Sequence, residues 1–348
     1  MTPKILQEIV SATKVLQAGG VVAFPTETVY GLGADVSNAL AVNRIFEIKG
    51  RPPNHPLIVH FSNISNLQHW TQEVPEAAWK LAEHFWPGPL TLILPRGKHI
   101  LPIVTGGQNM VGLRIPNHPI ALALLESLGP TGALAAPSAN RFGRISPTTA
   151  AHVTEELGSA VDMILDGGAC KVGLESTIVS FNGKTPTVLR PGGIPLAALA
   201  DILNENIALS RTEDSAIRVS GTLASHYAPL TPLEICTTKF LPQRVRELKE
   251  QGLHVALIGW STEIYQIFLN MKAIHYCSLP QESVAYGRKL YATLRRFDNE
   301  HFDRLLVEAP PNRPAWLAII DRLQRASHAL KINTEIDDHN TKNLKDSK

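Results

Sequence analysis

The feature that most constrains the fold is the alternation of short apolar runs with segments of helical periodicity along most of the chain. In the first 204 residues the apolar runs predict strands at 21–24, 57–60, 90–94, 110–115, 133–136, 163–165, 177–181 and 187–189. Helices are predicted at 38–48, 75–84, 117–128, 146–157 and 195–204, in addition to an amphipathic helix within residues 1–20. This order of elements is typical of an α/β domain.

A second unit follows a polar connector at residues 210–230. Its pattern predicts strands at 233–235, 254–258 and 304–309, with helices at 241–251, 281–297 and 315–330. Strands that alternate with helices at this spacing indicate a small parallel sheet. We therefore predict a first domain at 1–209, the connector at 210–230, a C-terminal α/β domain at 231–330 and a disordered polar tail at 331–348.

Composition excludes several classes of protein. The 348 residues include 33 Lys and Arg against 31 Asp and Glu, so strong direct binding of nucleic acid is not expected. Cys170, Cys236 and Cys277 lie far apart, which argues against a disulfide framework or a zinc site. No apolar run reaches the ~18 residues that cross a membrane, and the N-terminus does not resemble a signal peptide. The sequence thus predicts a cytoplasmic protein with no membrane association and no metal site of its own.

Three polar segments follow predicted strands, where α/β proteins bind ligands. The first, FPTETVYGLG (24–33), offers hydroxyl groups such as that of Thr28 beside two glycines. It could equally be a turn whose threonines and glutamate satisfy the backbone.

The second segment is KGRPPNHPLIVH (49–60). Gly50 is predicted to end the preceding helix, and the prolines favour an extended chain in which Lys49 and Arg51 point to the same side. A point charge next to a forked donor suits phosphate oxygens, although a solvated basic pair is the simpler interpretation. His60 ends an apolar strand, where a histidine is more often a core residue than a ligand.

The third segment is PSANRFGRISP (137–147), in which Ser138 and Asn140 supply neutral donors and acceptors. Ser146 could bind a ligand or could be the N-cap of the next helix. Further candidates are Ser176 at the start of a strand, and Arg114 and Arg190 near the ends of two others. P-loop, HExxH, GxSxG and GxGxxG motifs are absent, so this inventory favours an enzyme that acts by positioning and charge stabilisation on anionic substrates.

These motifs together resemble a known family. FPTETVYGLG, KGRP with NHPLIVH, PSAN, LEST and LRPG occur in the order found in the YrdC-like domain of threonylcarbamoyl-AMP synthases. The connector SGTLASHYAP and the unit after it resemble the long, two-domain branch. The resemblance implies a twisted open-sheet catalytic domain and a smaller Rossmann-like α/β C-terminal domain.

The resemblance also implies a reaction. L-threonine, bicarbonate or CO2, and ATP would give threonylcarbamoyl-AMP and pyrophosphate, with Mg2+ accompanying the triphosphate. The product would serve threonylcarbamoyladenosine formation in tRNA, completed by separate downstream transferase proteins. This nucleotidyltransferase chemistry needs no protein nucleophile.

The same resemblance assigns roles to residues. Lys49 and Arg51 would be the catalytic cations that hold the triphosphate. The other positions implied for ATP are His55, Met110, Ser138, Asn140, Ser146, Arg190 and Tyr227. Those implied for threonine are Thr28, His60, Arg114, Ala136 and Ser176, with Arg114 on the carboxylate. The chain departs from the family pattern at His55, where an asparagine is usual, and at Ser225, where a basic residue is usual.

Two alternatives differ in class. One is an RNA-binding or ribosome-associated module without catalysis, which near-neutral charge argues against. The other is a different carbamoyl-transfer enzyme that shares the catalytic domain, which the connector and second unit disfavour.

Overall fold

The computed structural model describes residues 1–181, 185–210, 217–223, 225–269 and 274–327. In this part of the chain the strands form one mixed sheet and one parallel sheet, flanked by helices. The whole tail predicted at 331–348, and parts of the connector, lie outside these residues, as does the end of the last predicted helix.

The first domain is built on a sheet of ten strands in the described residues, in the order β10-β9-β8-β4-β5-β3-β6-β2-β1-β7. Its strands are β1 (Val22–Phe24), β2 (Gly31–Asp35), β3 (Ile58–His60), β4 (Leu90–Pro95), β5 (Met110–Arg114), β6 (Leu134–Ala135), β7 (Met163–Ile164), β8 (Thr177–Ser180), β9 (Thr187–Arg190) and β10 (Ala208–Leu209). Its helices are α1 (Pro3–Gln17), α2 (Ala39–Lys49), α3 (Leu67–Trp70), α4 (Glu76–Phe85), α5 (Pro119–Ser127), α6 (Ala150–Leu157) and α7 (Leu196–Leu203).

The second domain has a four-stranded parallel sheet in the described residues, in the order β11-β14-β12-β13. Its strands are β11 (Leu233–Cys236), β12 (Val255–Gly259), β13 (His275–Ser278) and β14 (Arg304–Glu308). Its helices are α8 (Leu241–Glu250), α9 (Thr262–Phe268), α10 (Ser283–Asn299) and α11 (Leu317–Ser327). The predicted small parallel sheet is confirmed, whereas β13 and α9 were not foreseen.

Capping explains the position of Lys49. The Asn38 side chain accepts hydrogen bonds from the N–H groups of Leu40 and Ala41, which starts α2 as its N-cap. Gly50 ends the helix with φ of 61°, a left-handed conformation that favours glycine. Lys49 is consequently the last helical residue, and the prediction that it lies in an extended stretch is wrong.

Three other local predictions are corrected. β2 begins within the segment predicted as a polar loop, because Gly31, Leu32 and Gly33 pair with β1. The helix predicted at 146–157 begins only at Ala150 with Thr149 as its N-cap, so the capping interpretation of Ser146 is wrong. The helix predicted at 117–128 begins at Pro119, with His118 as its N-cap.

The two domains share a hydrophobic cluster. Val29, Ile145 and Leu174 of the first domain pack in one cluster with Tyr286 and Ile319 of the second. Tyr227 of the connector belongs to the same cluster. The second domain is therefore packed against loops that carry the predicted site. Among the described residues, none of the helices has the length and apolar character needed to cross a membrane.

Candidate active site

A polar cleft lies where several strands of the large sheet end. It contains about 460 Å3 of space free of protein atoms, part of it open to solvent. The cleft is lined by every residue implied for threonine, namely Thr28, His60, Arg114, Ala136 and Ser176. Ser138, Arg190 and Tyr227, implied for ATP, also line it. The structure thus brings together residues that are up to 199 positions apart (227 − 28).

Arg114, the last residue of β5, is a buried cation in the lining of the cleft. Its Nη2 donates to Glu27 Oε1 at 2.8 Å and to Thr28 Oγ1 at 2.8 Å. Glu27 Oε2 in turn accepts from the N–H of Asn117 at 3.0 Å. The buried Glu27 carboxylate therefore fixes the position of the guanidinium. The first polar segment pairs polar groups within the protein and also lines the cleft, while ligand binding by it stays a prediction.

His60 is neutral at physiological pH. Burial, supported by the nearby charge of Arg114, lowers its pKa to about 3. Its Nδ1 lies 3.2 Å from the carbonyl oxygen of Ile58, and because a carbonyl only accepts, Nδ1 carries the proton. Nε2 is then a hydrogen-bond acceptor, suited to a hydroxyl or amine of a ligand rather than to a carboxylate.

Lys49 and Arg51 lie beside the cleft rather than in its lining. Lys49 Nζ donates to the carbonyl oxygen of Ser138 at 2.6 Å and also to that of Asn140. Burial and the charge of Arg51 lower the pKa of Lys49 well below its usual value. Lys49 therefore holds the PSAN segment against the end of α2.

Arg51 retains its charge although it is buried. Its pKa is lowered to about 10, chiefly by burial and also by the charge of Arg190, while the interaction with Tyr227 acts in the opposite direction. Its Nη2 donates to the Pro56 carbonyl oxygen at 2.9 Å, and its guanidinium carbon lies 5.8 Å from the ring centre of Phe142. Its Nε is buried with no hydrogen-bond partner among the described residues. A buried cationic donor left in this way is suited to an anionic ligand.

Four other residues implied for ATP lie outside the cleft lining. Met110 lines a smaller neighbouring pocket, which shares Ile58 and Ser220 with the cleft. Asn140 Nδ2 donates to two carbonyl oxygens of its own loop, while its Oδ1 has no partner among the described residues. His55 and Ser146 make protein contacts: the His55 ring packs edge-on against Phe142 at 5.2 Å, and Ser146 bonds to a carboxylate.

That carboxylate, Glu175, was missed by sequence reasoning. It lines the cleft, and Ser146 Oγ donates to its Oε1 at 2.6 Å. Burial alone would raise the pKa of Glu175, but the charges of Arg322 and Arg190 hold it at about 2. Glu175 stands in the LEST motif, and the only signal in the sequence was its place beside Ser176.

The connector crosses the cleft. Arg190 Nη1 donates to the Ser220 carbonyl oxygen at 2.8 Å, and its Nη2 donates to the Ser176 carbonyl oxygen at 2.8 Å. Tyr227 is buried and has φ of 60°, a left-handed conformation unusual for tyrosine. Gly221 also has positive φ, and a Cβ there would lie 2.0 Å from Tyr227 Oη, so only glycine fits this approach.

Metal ligands are not clustered in the part of the chain that the structure describes. No group of three or more His, Cys, Asp or Glu side chains there is arranged to hold an ion. The two cleft carboxylates, Glu27 and Glu175, each bond to an arginine.

As the described residues form it, the cleft combines the buried cations Arg114 and Arg190 with hydroxyl and imidazole groups, and this composition suits anionic ligands. Comparison with known proteins gives the family. Residues 14–192 match the Sua5/YciO/YrdC family, described as "Telomere recombination", and residues 194–328 match "Threonylcarbamoyl-AMP synthase, C-terminal domain". The chain belongs to this family of nucleotidyltransferases, and to its two-domain branch.

The relatives support the same assignment over most of the chain. The threonylcarbamoyl-AMP synthase of Bacillus subtilis is 39% identical, with 92% of this chain and 93% of that protein covered. The synthase of Pyrococcus abyssi is 37% identical, with 91% and 93% covered. The crystal structure of P. abyssi Sua5 complexed with L-threonine superposes with a TM-score of 0.84 at 36% identity, over 92% of this chain and 94% of that one.

Proposed function

We propose that this enzyme makes L-threonylcarbamoyladenylate from L-threonine, bicarbonate or CO2, and ATP, with release of pyrophosphate, for threonylcarbamoyladenosine modification of tRNA. The observation that carries this proposal is the juxtaposition in one cleft of Arg114, His60 and Thr28 with Ser138, Arg190 and Tyr227. Support also comes from the P. abyssi relative, whose crystal structure is a complex with L-threonine.

In the threonine half, Arg114 would hold the substrate carboxylate. Glu27 and Thr28 already fix its Nη2, which orients the remaining edge of the guanidinium. His60, with Nε2 as acceptor, would take a hydrogen bond from the threonine hydroxyl or amine. Its low pKa suits it to orienting the amine rather than to removing a proton from it.

In the nucleotide half, Arg51, Arg190 and Lys49 would face the triphosphate. The buried Arg51 Nε without a partner is the clearest donor for a phosphate oxygen. Lys49 would keep Ser138 and Asn140 in place and add positive charge. ATP would arrive as its magnesium complex, with the ion held by phosphate oxygens as part of the substrate.

The chemistry would proceed in two steps. The neutral threonine amine attacks the carbon of CO2 and gives a carbamate and a proton, which passes to solvent; attack on bicarbonate instead gives the carbamate and a molecule of water. A carbamate oxygen then attacks the α-phosphorus of ATP, the bond to the β-phosphate bridging oxygen breaks, and pyrophosphate leaves. The arginines would stabilise negative charge that develops on the phosphate oxygens. The product is a mixed anhydride, which downstream transferase proteins would pass to tRNA.

The test is pyrophosphate release by the purified protein in complete mixtures and in mixtures lacking one substrate. We expect release only when ATP, threonine and bicarbonate are all present. Release that does not depend on threonine would overturn the proposal. So would tight RNA binding with steep salt dependence in the absence of any ATP binding.

A further inference from the structure

A residue of the second domain reaches into the wall of the cleft. Arg322, in α11, is the largest of the fully buried side chains in the described part of the molecule. Its Nε donates to Glu175 Oε2 at 2.7 Å, and its Nη2 donates to the Pro191 carbonyl oxygen at 3.0 Å. Its guanidinium carbon lies 5.0 Å from the ring centre of Tyr227. One side chain thus contacts two loops of the first domain and the connector.

Glu175, the main partner of Arg322, is held from several elements. Ser146 donates to it from the PSAN loop, and Tyr291 Oη of α10 lies 3.0 and 3.2 Å from its two oxygens. Arg190 lies close enough for its charge to act on Glu175. The carboxylate is therefore a fixed negative charge in the wall of a cleft proposed to receive a polyanion.

The turn at Pro191 is packed directly on the segment that contains Glu175. A Cβ on Gly192 would lie 2.4 Å from the Glu175 carbonyl oxygen and from backbone atoms of Ser176 and Thr177. Arg322 ties together both sides of this contact, through Glu175 and through Pro191. It consequently fixes the chain next to Arg190, which precedes Pro191 and lines the cleft.

We propose that Arg322 is a positioning residue for the nucleotide half of the active site. It neutralises Glu175, which would otherwise repel the triphosphate, and its guanidinium packs against the Tyr227 ring. The second domain is then a part of the ATP site rather than an appended unit. The test of this inference by KM values rests on the proposed function, whereas the test by ATP affinity does not.

The contacts predict which substrate is affected. Besides its neighbour Asp321, Arg322 contacts Glu175, Pro191 and Tyr227. Tyr227, and Arg190 next to Pro191, both belong to the proposed nucleotide half. The Arg114 guanidinium is instead held by Glu27, Thr28 and the Gly88 carbonyl oxygen. Loss of the Arg322 charge should therefore weaken ATP binding and leave threonine binding unchanged. A general loss of stability would change both.

The experiment compares Arg322→Gln, Arg322→Lys and the double variant Arg322→Gln with Glu175→Gln. Affinity for magnesium-ATP is measured by titration calorimetry, and KM values for ATP and threonine by pyrophosphate release. We expect R322Q to weaken ATP binding about tenfold with threonine KM within about twofold. R322K, which keeps the charge, and the double variant, which removes the repelling carboxylate, should return ATP affinity to within about threefold of wild type.

Arg304→Gln is the matched control. Arg304 also forms an ion pair with a buried carboxylate of the second domain, Glu234, but neither residue lines the cleft. R304Q should leave both KM values unchanged. Equal effects of R322Q and R304Q, equal changes in both KM values, or a double variant no better than R322Q would overturn the inference.

The experiments distinguish failure of the proposed function from failure of the inference about Arg322. If wild-type pyrophosphate release does not depend on threonine, the proposed function fails, while calorimetry with ATP still tests Arg322. If R322Q does not fold, E175Q alone decides, because removal of the negative charge should leave ATP affinity equal to or tighter than wild type. Weaker ATP binding by E175Q would contradict the role of Arg322.

Discussion

Arg114 and Glu27 form a buried ion pair in the wall of the cleft, with 2.8 Å between Nη2 and Oε1 and side chains only 5% and 6% exposed. A buried pair of this kind is sensitive to the loss of either partner, because the other charge is left uncompensated. Here the pair also joins β5 to the loop between β1 and β2, and so fixes Arg114 in the lining of the cleft.

Arg114→Lys should therefore raise the KM for threonine about 10- to 150-fold, since the substrate carboxylate loses a charge-assisted hydrogen bond of roughly 1.5–3 kcal/mol. Lysine retains the charge but not the fork that binds Glu27 and the substrate together. Arg96→Lys is the control, because Arg96 donates to the Ile100 carbonyl oxygen away from the cleft. Steady-state kinetics of pyrophosphate release measure the effect, and an unchanged threonine KM in R114K would contradict the carboxylate role.

Lys49→Ala and Arg51→Ala should each lower turnover by about 10- to 150-fold, because each removes a cationic donor that is proposed to face the triphosphate. K49A also releases the carbonyl oxygens of Ser138 and Asn140, so it should additionally lower the melting temperature. The exposed Lys14→Ala is the control. Near-normal turnover in both K49A and R51A would remove these residues from the ATP site.

The ionised Glu175 carboxylate makes the free energy of unfolding depend on pH in the acidic range. Its pKa of about 2 lies below the unfolded value near 4.5, so the unfolded state binds more protons than the folded state between these values. The stabilisation is complete above pH 4.5 and is lost as the pH falls towards 2; over the whole window it amounts to a few kcal/mol. Urea unfolding from pH 6 down to pH 3 should show a steeper loss of unfolding free energy in wild type than in Glu175→Gln. Equal slopes would mean that Glu175 is not held ionised.

His60 acts in a different pH window. Its pKa is about 3 in the folded protein against 6.5 unfolded, so the unfolded state takes up the proton first as the pH falls below 6.5. Stability should fall between pH 6.5 and 3, and His60→Asn should lose that part of the slope. The exposed His254→Asn serves as the control. An H60N variant with the wild-type slope would contradict a buried neutral imidazole.

Gly221→Ala should displace the connector, because a Cβ at this position lies 2.0 Å from Tyr227 Oη. We expect a rise in the KM for ATP of about tenfold, with threonine KM little changed. Gly252→Ala is a matched control: Gly252 has a similar φ of 78°, but a Cβ there meets nothing within 4 Å. If both variants behave alike, backbone strain rather than contact with Tyr227 is the cause.

Much of the architecture could be predicted from periodicity, since most strands of the large sheet are apolar runs bounded by turn residues. β2 could not be predicted in this way, because glycine is depleted in strands and β2 contains Gly31 and Gly33. These glycines also lie in a stretch that has the composition of a ligand-binding loop. β13 is short and partly exposed, so it lacks the apolar alternation of a strand.

The site was predicted only as far as local motifs carry information. Arg51 and Arg114 stand in or next to recognisable segments, but the Glu175–Arg322 pair joins residues 147 positions apart (322 − 175) in different domains. No periodic pattern marks Arg322, whose helix reads as an ordinary amphipathic segment. Its role follows only from packing between the domains.

The most direct test of the account is to trace bicarbonate into the product. Purified enzyme is incubated with ATP, magnesium, threonine and bicarbonate labelled with 13C, and the nucleotide products are analysed by mass spectrometry. We predict an adenylate that contains threonine and whose mass increases with the label, formed together with pyrophosphate. An adenylate without the label, or AMP and pyrophosphate formed equally well without threonine, would contradict it.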